Sequence, residues 1–376
     1  MSTMDELIHY CNENDPVGAL MLTGEAGCGK TYLVGKELKK ALKDTHIIIR
    51  ISLFGMDSAK ALHAAVRHKW LDACMPVLGS LQKAKDKGIF SAFSSVIKKF
   101  NPVAGGAADV MVSMNVLDSI NIRPEVEDFI THDKRKVILV YDDLERAKMD
   151  LAEVMGVINE YCENKDFNSI IIVNEESLAG DWEKDRITCH MLKEKTVSHT
   201  LHHVPDYDEV INAILNAGKW QTPEYAEYLL EHEGLIRDVF ISESENPGKT
   251  YLTKKDRKYH NFRTLIKGLQ RFYRVFYHLQ KAGTDIPDSR LYSFLAYYLA
   301  TESGICRGGV PCIDVSDDDI KEFYPEYSPD DMTAAERRWI SSGTWDKEAF
   351  TAENASLQQV ISMGGINKYK GEQEKY

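Results

Sequence analysis

A chain of 376 residues, 43% of them apolar, has material for two domains with substantial cores. Its net charge of -12 argues against a surface coated by nucleic acid, and no stretch is apolar and long enough to span a bilayer. Seven cysteines, an odd number without paired short spacing, fit a reducing compartment rather than a disulfide scaffold. The N-terminal segment carries Asp5, Glu6, Glu13 and Asp15 where a leader would be basic and then apolar, so a cytoplasmic location is expected.

Ala19 to Thr23 is a short apolar run with the character of a buried strand. Gly24-Glu25-Ala26-Gly27-Cys28-Gly29-Lys30-Thr31 follows at once, an unbroken G-x-x-x-x-G-K-[ST] phosphate-binding loop, with Tyr32 next to it. Glycines let backbone N–H groups wrap the α- and β-phosphates of a nucleotide. Lys30 is placed to reach the β/γ oxygens, and the Thr31 hydroxyl to complete a Mg²⁺ shell. Beyond it, Leu33, Val34, Leu38, Ala41 and Leu42 recur at helical spacing. Strand, loop and helix in this order point to nucleotide binding.

The alternation continues. His46 to Phe54 is a β-branched run expected to form a second strand, closed by Gly55 to Asp57, with a helix over Ser58 to Cys74. Residues 76–134 are irregular and read as a partly helical insertion. Lys136 to Tyr141 is a third strand, Leu151 to Cys162 a helix, Ser169 to Val173 a fourth strand and Thr196 to Val204 a fifth. Strands alternating with helices imply an α/β fold, a parallel sheet of about five strands flanked by helices, with its ligand at the carboxyl ends of the strands.

Val137 to Tyr141 runs into Asp142-Asp143-Leu144-Glu145-Arg146, a rigid strand tip that presents carboxylates beside Thr31, as a Walker B segment must. Asp142 is assigned to Mg²⁺ through a water. Asp143 is the first choice for polarising the attacking water and Glu145 the second. The fourth strand ends at Asn174-Glu175-Glu176. Asn174 is read either as a γ-phosphate sensor or as a turn former.

Strand signal stops near residue 222. Helices are expected over Tyr225 to Leu235, Arg257 to Ala282 and Arg290 to Thr301, giving a division into 1–217, a helical domain over 218–332 and a polar extension over 333–376. From Lys249 to Lys281 there are ten Lys/Arg against one acid, and from Asp314 to Asp331 eight acids against one Lys. On the basic helix, Arg263, Lys267, Arg271 and Arg274 share a face opposite an apolar one. Three readings stay open there: a core helix with a solvated face, Arg263 as a sensor reaching the γ-phosphate, and nucleic-acid contact. His199, His202 and His203 lack zinc spacing and read as strand residues. Asp317-Asp318-Asp319 lacks the pattern of a Ca²⁺ loop and reads as a solvated turn.

Gly24 to Tyr32, Ser52-Leu53-Phe54-Gly55, Asp142 to Arg146 and Val173-Asn174-Glu175 together resemble the KAP family of P-loop NTPases, over roughly the first 217 residues. Asn261-Phe262-Arg263 is similar to that family's Asn-Pro-Arg helix start. The chain departs at Ala26, where the family commonly has Trp, and at Phe262, where it commonly has Pro. Many members also carry transmembrane helices between the Walker motifs, and residues 76–134 are too polar for that. The resemblance implies an additional-strand ATPase near AAA+ and STAND proteins, ATP in preference to GTP, and for bacterial members a setting in defence against phage or mobile elements. Three functions follow as expectations: an ATPase coupling hydrolysis to conformational change or assembly, a scaffold that holds ATP without turnover, and a nucleic-acid-remodelling ATPase. A homo-oligomer or a separate effector partner is expected for the first, and Arg146 or Arg263 is expected to meet the γ-phosphate.

Overall fold

Four apolar runs become strands because each is too short for a helix and too buried for a loop, and a fifth, mostly polar segment joins them at the edge of the sheet. In a computed structural model of the protein, residues 2–81, 122, 135–174, 177, 186–241, 261–303 and 315–362 are described. The strands are β1 (Ala19–Thr23), β2 (His46–Ser52), β3 (Lys136–Asp142), β4 (Ser169–Ile172) and β5 (Val197–His202), all parallel in the order β2-β3-β4-β1-β5. Every residue of β1 and β4 is buried, as central strands of a doubly covered sheet require, while the edge strands β2 and β5 carry exposed positions.

Two apolar layers form on opposite faces. On one, Met21, Ile49, Leu139, Tyr141 and Ile171 pack with α3 (Ala59–Leu81) and α4 (Leu151–Glu163) through Val66, Trp70, Val154 and Ile158. On the other, Leu20, Leu22, Ile138, Val140 and Ile170 pack with α1 (Thr3–Cys11) and α2. The α2 segment starts as an α-helix at Lys30–Tyr32, widens to a π-helix over Leu33–Leu38 and ends as Lys39–Ala41. A π-stretch is rare and concentrates at functional sites; here it begins within three residues of the phosphate loop. A short helix α5 (Arg186–Thr196) precedes β5. The helix α1 has no counterpart among the elements read from the sequence. The Tyr10 hydroxyl anchors it, lying 2.9 Å from the carbonyl oxygens of both Gly18 and Ser169 and accepting from the Ser169 N–H at 3.0 Å.

The chain divides into two units, Met1–Val204 and Pro205–Tyr376. The sequence reading put that boundary at 217, but α6 (Tyr207–Ala217) buries Ile211 and Leu215 in the core of the second unit. The second unit is helical: α7 (Pro223–Glu231), α8 (Glu233–Ile241), α9 (Phe262–Lys281), α10 (Asp288–Ser303), α11 (Asp317–Phe323), α12 (Ala334–Ser342) and α13 (Lys347–Ser362). Residues 333–362 are not a separate polar extension: Trp339, Ile340 and Phe350 are core residues. A fully buried Arg290 ties the three last long helices together, donating to Glu336 at 2.9 Å and to Asn354 at 2.8 Å. Asp317-Asp318-Asp319 is not a free turn but the first turn of α11, capped by Ser316, where carboxylates meet the positive end of the helix dipole. Residues 76–81 continue α3, whereas most of the expected insertion, Glu175, Glu176 and 363–376 lie outside the described residues.

Candidate functional site

At the carboxyl end of β1 the chain turns through Gly24 and Gly29, and both positions need glycine for different reasons. A Cβ on Gly24 would lie 2.8 Å from the His203 carbonyl oxygen, so a side chain there displaces backbone. Gly29 has open space around it but sits at φ +98°, a left-handed conformation that other residues adopt only at a cost. Between them the loop closes on itself. Lys30 is buried, and its Nζ donates to the carbonyls of Gly24 at 2.7 Å and Glu25 at 2.8 Å. The amine is thereby preplaced over the loop. Cys28 is buried beneath it, and burial pushes its thiol up against the pull of the Lys30 charge. Tyr32 stays half exposed, with the Lys36 amine 5.7 Å from its ring centre.

β4 lies between β1 and β3, so the phosphate-loop strand and the Walker B strand are not neighbours. This is the additional-strand arrangement. It nonetheless brings residues 31 and 142 together: Thr31 Oγ1 donates to the Asp142 carboxylate, 3.1 Å from Oδ2 and 3.3 Å from Oδ1. Asp142 is 2% exposed, and its Oδ1 also accepts the Asp143 N–H at 2.9 Å. A buried carboxylate beside a hydroxyl with free lone pairs fits a hard divalent cation. Thr31 can donate to Asp142 and offer its oxygen to the cation at once.

Asp143 stands in left-handed backbone, φ 62° and ψ 42°. Strain of this kind at a non-glycine residue collects at functional sites. The kink turns its carboxylate away from Asp142 and towards Ser52, whose Oγ donates at 3.2 Å. Arg146 follows in the same turn with Nε 4.0 Å from Asp143 Oδ1 and its guanidinium over the exposed Phe54 ring at 5.8 Å. Glu145 is committed elsewhere: its Oε2 accepts the backbone N–H of Asn174 at 3.2 Å. Asn174 is buried, donates Nδ2 to Ser177 Oγ at 2.9 Å, and leaves its Oδ1 without a hydrogen-bond partner among the described residues. Its backbone carbonyl accepts the Ser177 N–H at 3.1 Å, so residue 174 also closes a turn at the tip of the strand between the two Walker segments.

Two neighbours escaped the sequence reading. Arg50, on the edge strand β2, donates Nε to Asp142 Oδ2 at 2.6 Å. Its only signal was a cation inside an otherwise apolar run, His46 to Phe54. His203, just past β5, packs behind the loop with its N–H on Thr23 O at 2.8 Å. Burial, reinforced by Lys30, holds its imidazole below the usual value.

The family model of the KAP family P-loop domain matches residues 2–279. The chain belongs to the KAP family. The match takes in the whole sheet and most of α9, well past the 217 residues over which the motifs carried the resemblance. As a KAP-family chain it is a nucleotide-binding P-loop NTPase. None of the curated proteins matches it. No helix among the described residues is long and apolar enough to cross a membrane, and no group of three or more His, Cys, Asp or Glu side chains placed to hold a metal forms among them.

In the second unit α9 answers part of the basic-helix question. The guanidinium of Arg271 lies 5.5 Å from the Trp339 ring centre and 5.6 Å from that of Tyr298. That of Arg274 lies 5.1 Å from Trp339 and 5.3 Å from Trp345. Both are spent on cation–π packing. Arg263 is exposed and has no ion pair among the described residues; its N–H caps on Asn261 Oδ1 at 3.0 Å.

Proposed function

We propose that this KAP-family chain is a Mg²⁺-dependent ATPase that couples nucleotide state to a change in its helical unit or in its assembly. The observation that carries the reading is the Thr31–Asp142 contact across the intervening strand, with Lys30 preplaced over the loop. Thr31 and Asp142 would hold the cation, which spreads the charge of the β/γ oxygens when bound. Lys30 moves its donation from the loop carbonyls to those oxygens. Asp143 takes the proton of the attacking water, and Asn174 Oδ1 accepts that water's other hydrogen and fixes its approach. The preference for ATP over GTP, a cytoplasmic location and a setting in anti-phage defence are inferred from the family alone. A scaffold without turnover is the less favoured reading, because a strained Asp143 and an orphaned Asn174 acceptor serve hydrolysis rather than storage.

Phosphate release from ATP, with Mg²⁺ and with EDTA, tests the proposal, alongside competition by GTP. Expected is Mg²⁺-dependent release that is lost in Lys30→Ala together with nucleotide binding. Tight ATP binding without release in the wild type would leave the scaffold.

A further inference from the structure

Asp142 carries one contact that the proposed chemistry does not use. Its Oδ1 takes the Asp143 N–H, and Thr31 leans on both oxygens. Those partners are neutral and stay in place when a cation arrives. Arg50 is different: it is a full positive charge, 2.6 Å from Oδ2, on a carboxylate 2% exposed to solvent. A guanidinium and a hydrated divalent cation both claim that oxygen, and like charges a few ångströms apart inside a partly dry site repel strongly.

We propose that Arg50 is the resident counter-ion of Asp142, and that binding of the divalent cation displaces it. This rests on the reading of Thr31 and Asp142 as the cation's residues. The geometry supplies both halves of the exchange. Before nucleotide arrives, Arg50 neutralises a carboxylate that would otherwise be buried with only dipoles around it. The Arg50 side chain is half exposed, and β2 is an edge strand, so the guanidinium can swing to solvent without disturbing a core. A second carboxylate waits on that path: Asp143 Oδ2 is 4.0 Å from an Arg50 terminal nitrogen. Release from Asp142 therefore leaves Arg50 with Asp143 as its nearest acid, the group read as the proton acceptor. Arg50 in this role is a positioning residue. It sets how readily the site takes metal and couples metal arrival to the charge around Asp143.

The test is a Mn²⁺ titration of the ADP complex followed by electron paramagnetic resonance, with thermal unfolding in EDTA and in Mn²⁺–ADP as the second readout. Wild type, Asp142→Asn, Arg50→Met and Arg50→Lys are compared. Arg50→Met should bind Mn²⁺ roughly tenfold more tightly than wild type, the scale of losing one charge-assisted competitor. It should melt lower than wild type in EDTA and recover most of the difference in Mn²⁺–ADP. Arg50→Lys keeps a cation on β2 without the planar fork, and is expected to tighten Mn²⁺ binding by less; it carries the comparison where the Met variant does not fold. Unchanged or weaker Mn²⁺ binding in both Arg50 variants, with a wild type that binds Mn²⁺ and an Asp142→Asn that binds it poorly, overturns the role of Arg50 alone. A wild type whose Mn²⁺ affinity is indifferent to Asp142→Asn overturns the underlying reading of the cation site.

Discussion

The Glu145 carboxylate accepts the backbone N–H of Asn174 at 3.2 Å, bridging the turn after β3 to the tip of β4. That bond separates two acids that the sequence ranked, Asp143 first and Glu145 second. Glu145 holds the end of the additional strand in place, which favours Asp143 as the proposed proton acceptor. The same bond fixes the Asn174 backbone without using its side chain, so the two functions of residue 174 can be pulled apart.

Asp143→Asn and Asp143→Gly distinguish the carboxylate from the backbone that aims it. Asn tolerates left-handed backbone and Gly prefers it, so neither should destabilise the first unit, and Gly is expected to gain up to about 1 kcal/mol. Both should bind ATP and lose turnover by roughly two orders of magnitude or more, the scale of losing a positioned proton acceptor. Stopped-flow phosphate release and chemical denaturation measure the two effects. Normal turnover in Asp143→Asn with a dead Glu145→Gln would move the base to Glu145.

Asn174→Ala removes an acceptor that has no partner among the described residues and one donor, Nδ2 to Ser177. The loss of stability should be about 1 kcal/mol, one ordinary hydrogen bond. Turnover should fall by roughly tenfold to a hundredfold while ATP affinity holds, because a group that orients water acts only in the transition state. Single-turnover rates set against equilibrium binding decide it: equal losses in both would make Asn174 a ground-state contact.

His46 gives the first unit a pH dependence. It is buried, with Nε2 2.9 Å from the Cys11 carbonyl oxygen and Nδ1 2.8 Å from Thr45 Oγ1. Burial holds its imidazole below the usual 6.5, and His203 is lowered for the same first reason. The unfolded chain therefore binds protons that the folded state refuses. Stability is full above about pH 6.5 and falls as pH drops below that value towards the depressed ones. Amide exchange in β2 at about pH 7.5 and 5.5, corrected for intrinsic rates, should show protection falling in acid, with a smaller fall in His46→Gln. An equal fall in that variant would assign the effect to other groups.

The legible parts of this molecule are those fixed by one local rule. β1, β3 and β4 read directly because strands buried on both faces are unbroken apolar runs. The phosphate loop reads because its glycines and Lys30 must stand at set spacings. What stayed hidden depends on partners far along the chain. Arg50 looks like a surface charge until β3 places Asp142 beside it, 92 residues later. The helices α12 and α13 look like a polar tail because buried Glu336 and Asn354 pair with Arg290, from another helix altogether. No window on the sequence contains both ends of such a pair.

Assembly is the last expectation to test, through Arg146 or Arg263. Many P-loop NTPases bring an arginine to the γ-phosphate, from their own lid or from a neighbouring subunit. Arg146 is half exposed in the turn after β3, yet already leans on Asp143 and on Phe54, itself 67% exposed. An exposed aromatic ring next to an arginine is a surface that a neighbour would cover. Arg263 has no such commitments among the described residues, and it starts the helix in which the family match ends. ATP and ADP differ by the one phosphate either arginine would meet, so only ATP supplies the differential affinity that shifts an equilibrium. In the hydrolysis-deficient Asp143→Asn protein, light scattering should show a larger particle with ATP than with ADP. Arg146→Ala should abolish the difference if the arginine acts between subunits. With Arg263 as the sensor, Arg263→Ala should abolish it and Arg146→Ala should not. A monomer of unchanged mass in both nucleotides, at micromolar protein, would eliminate self-assembly and leave the helical unit or a separate effector as the responder.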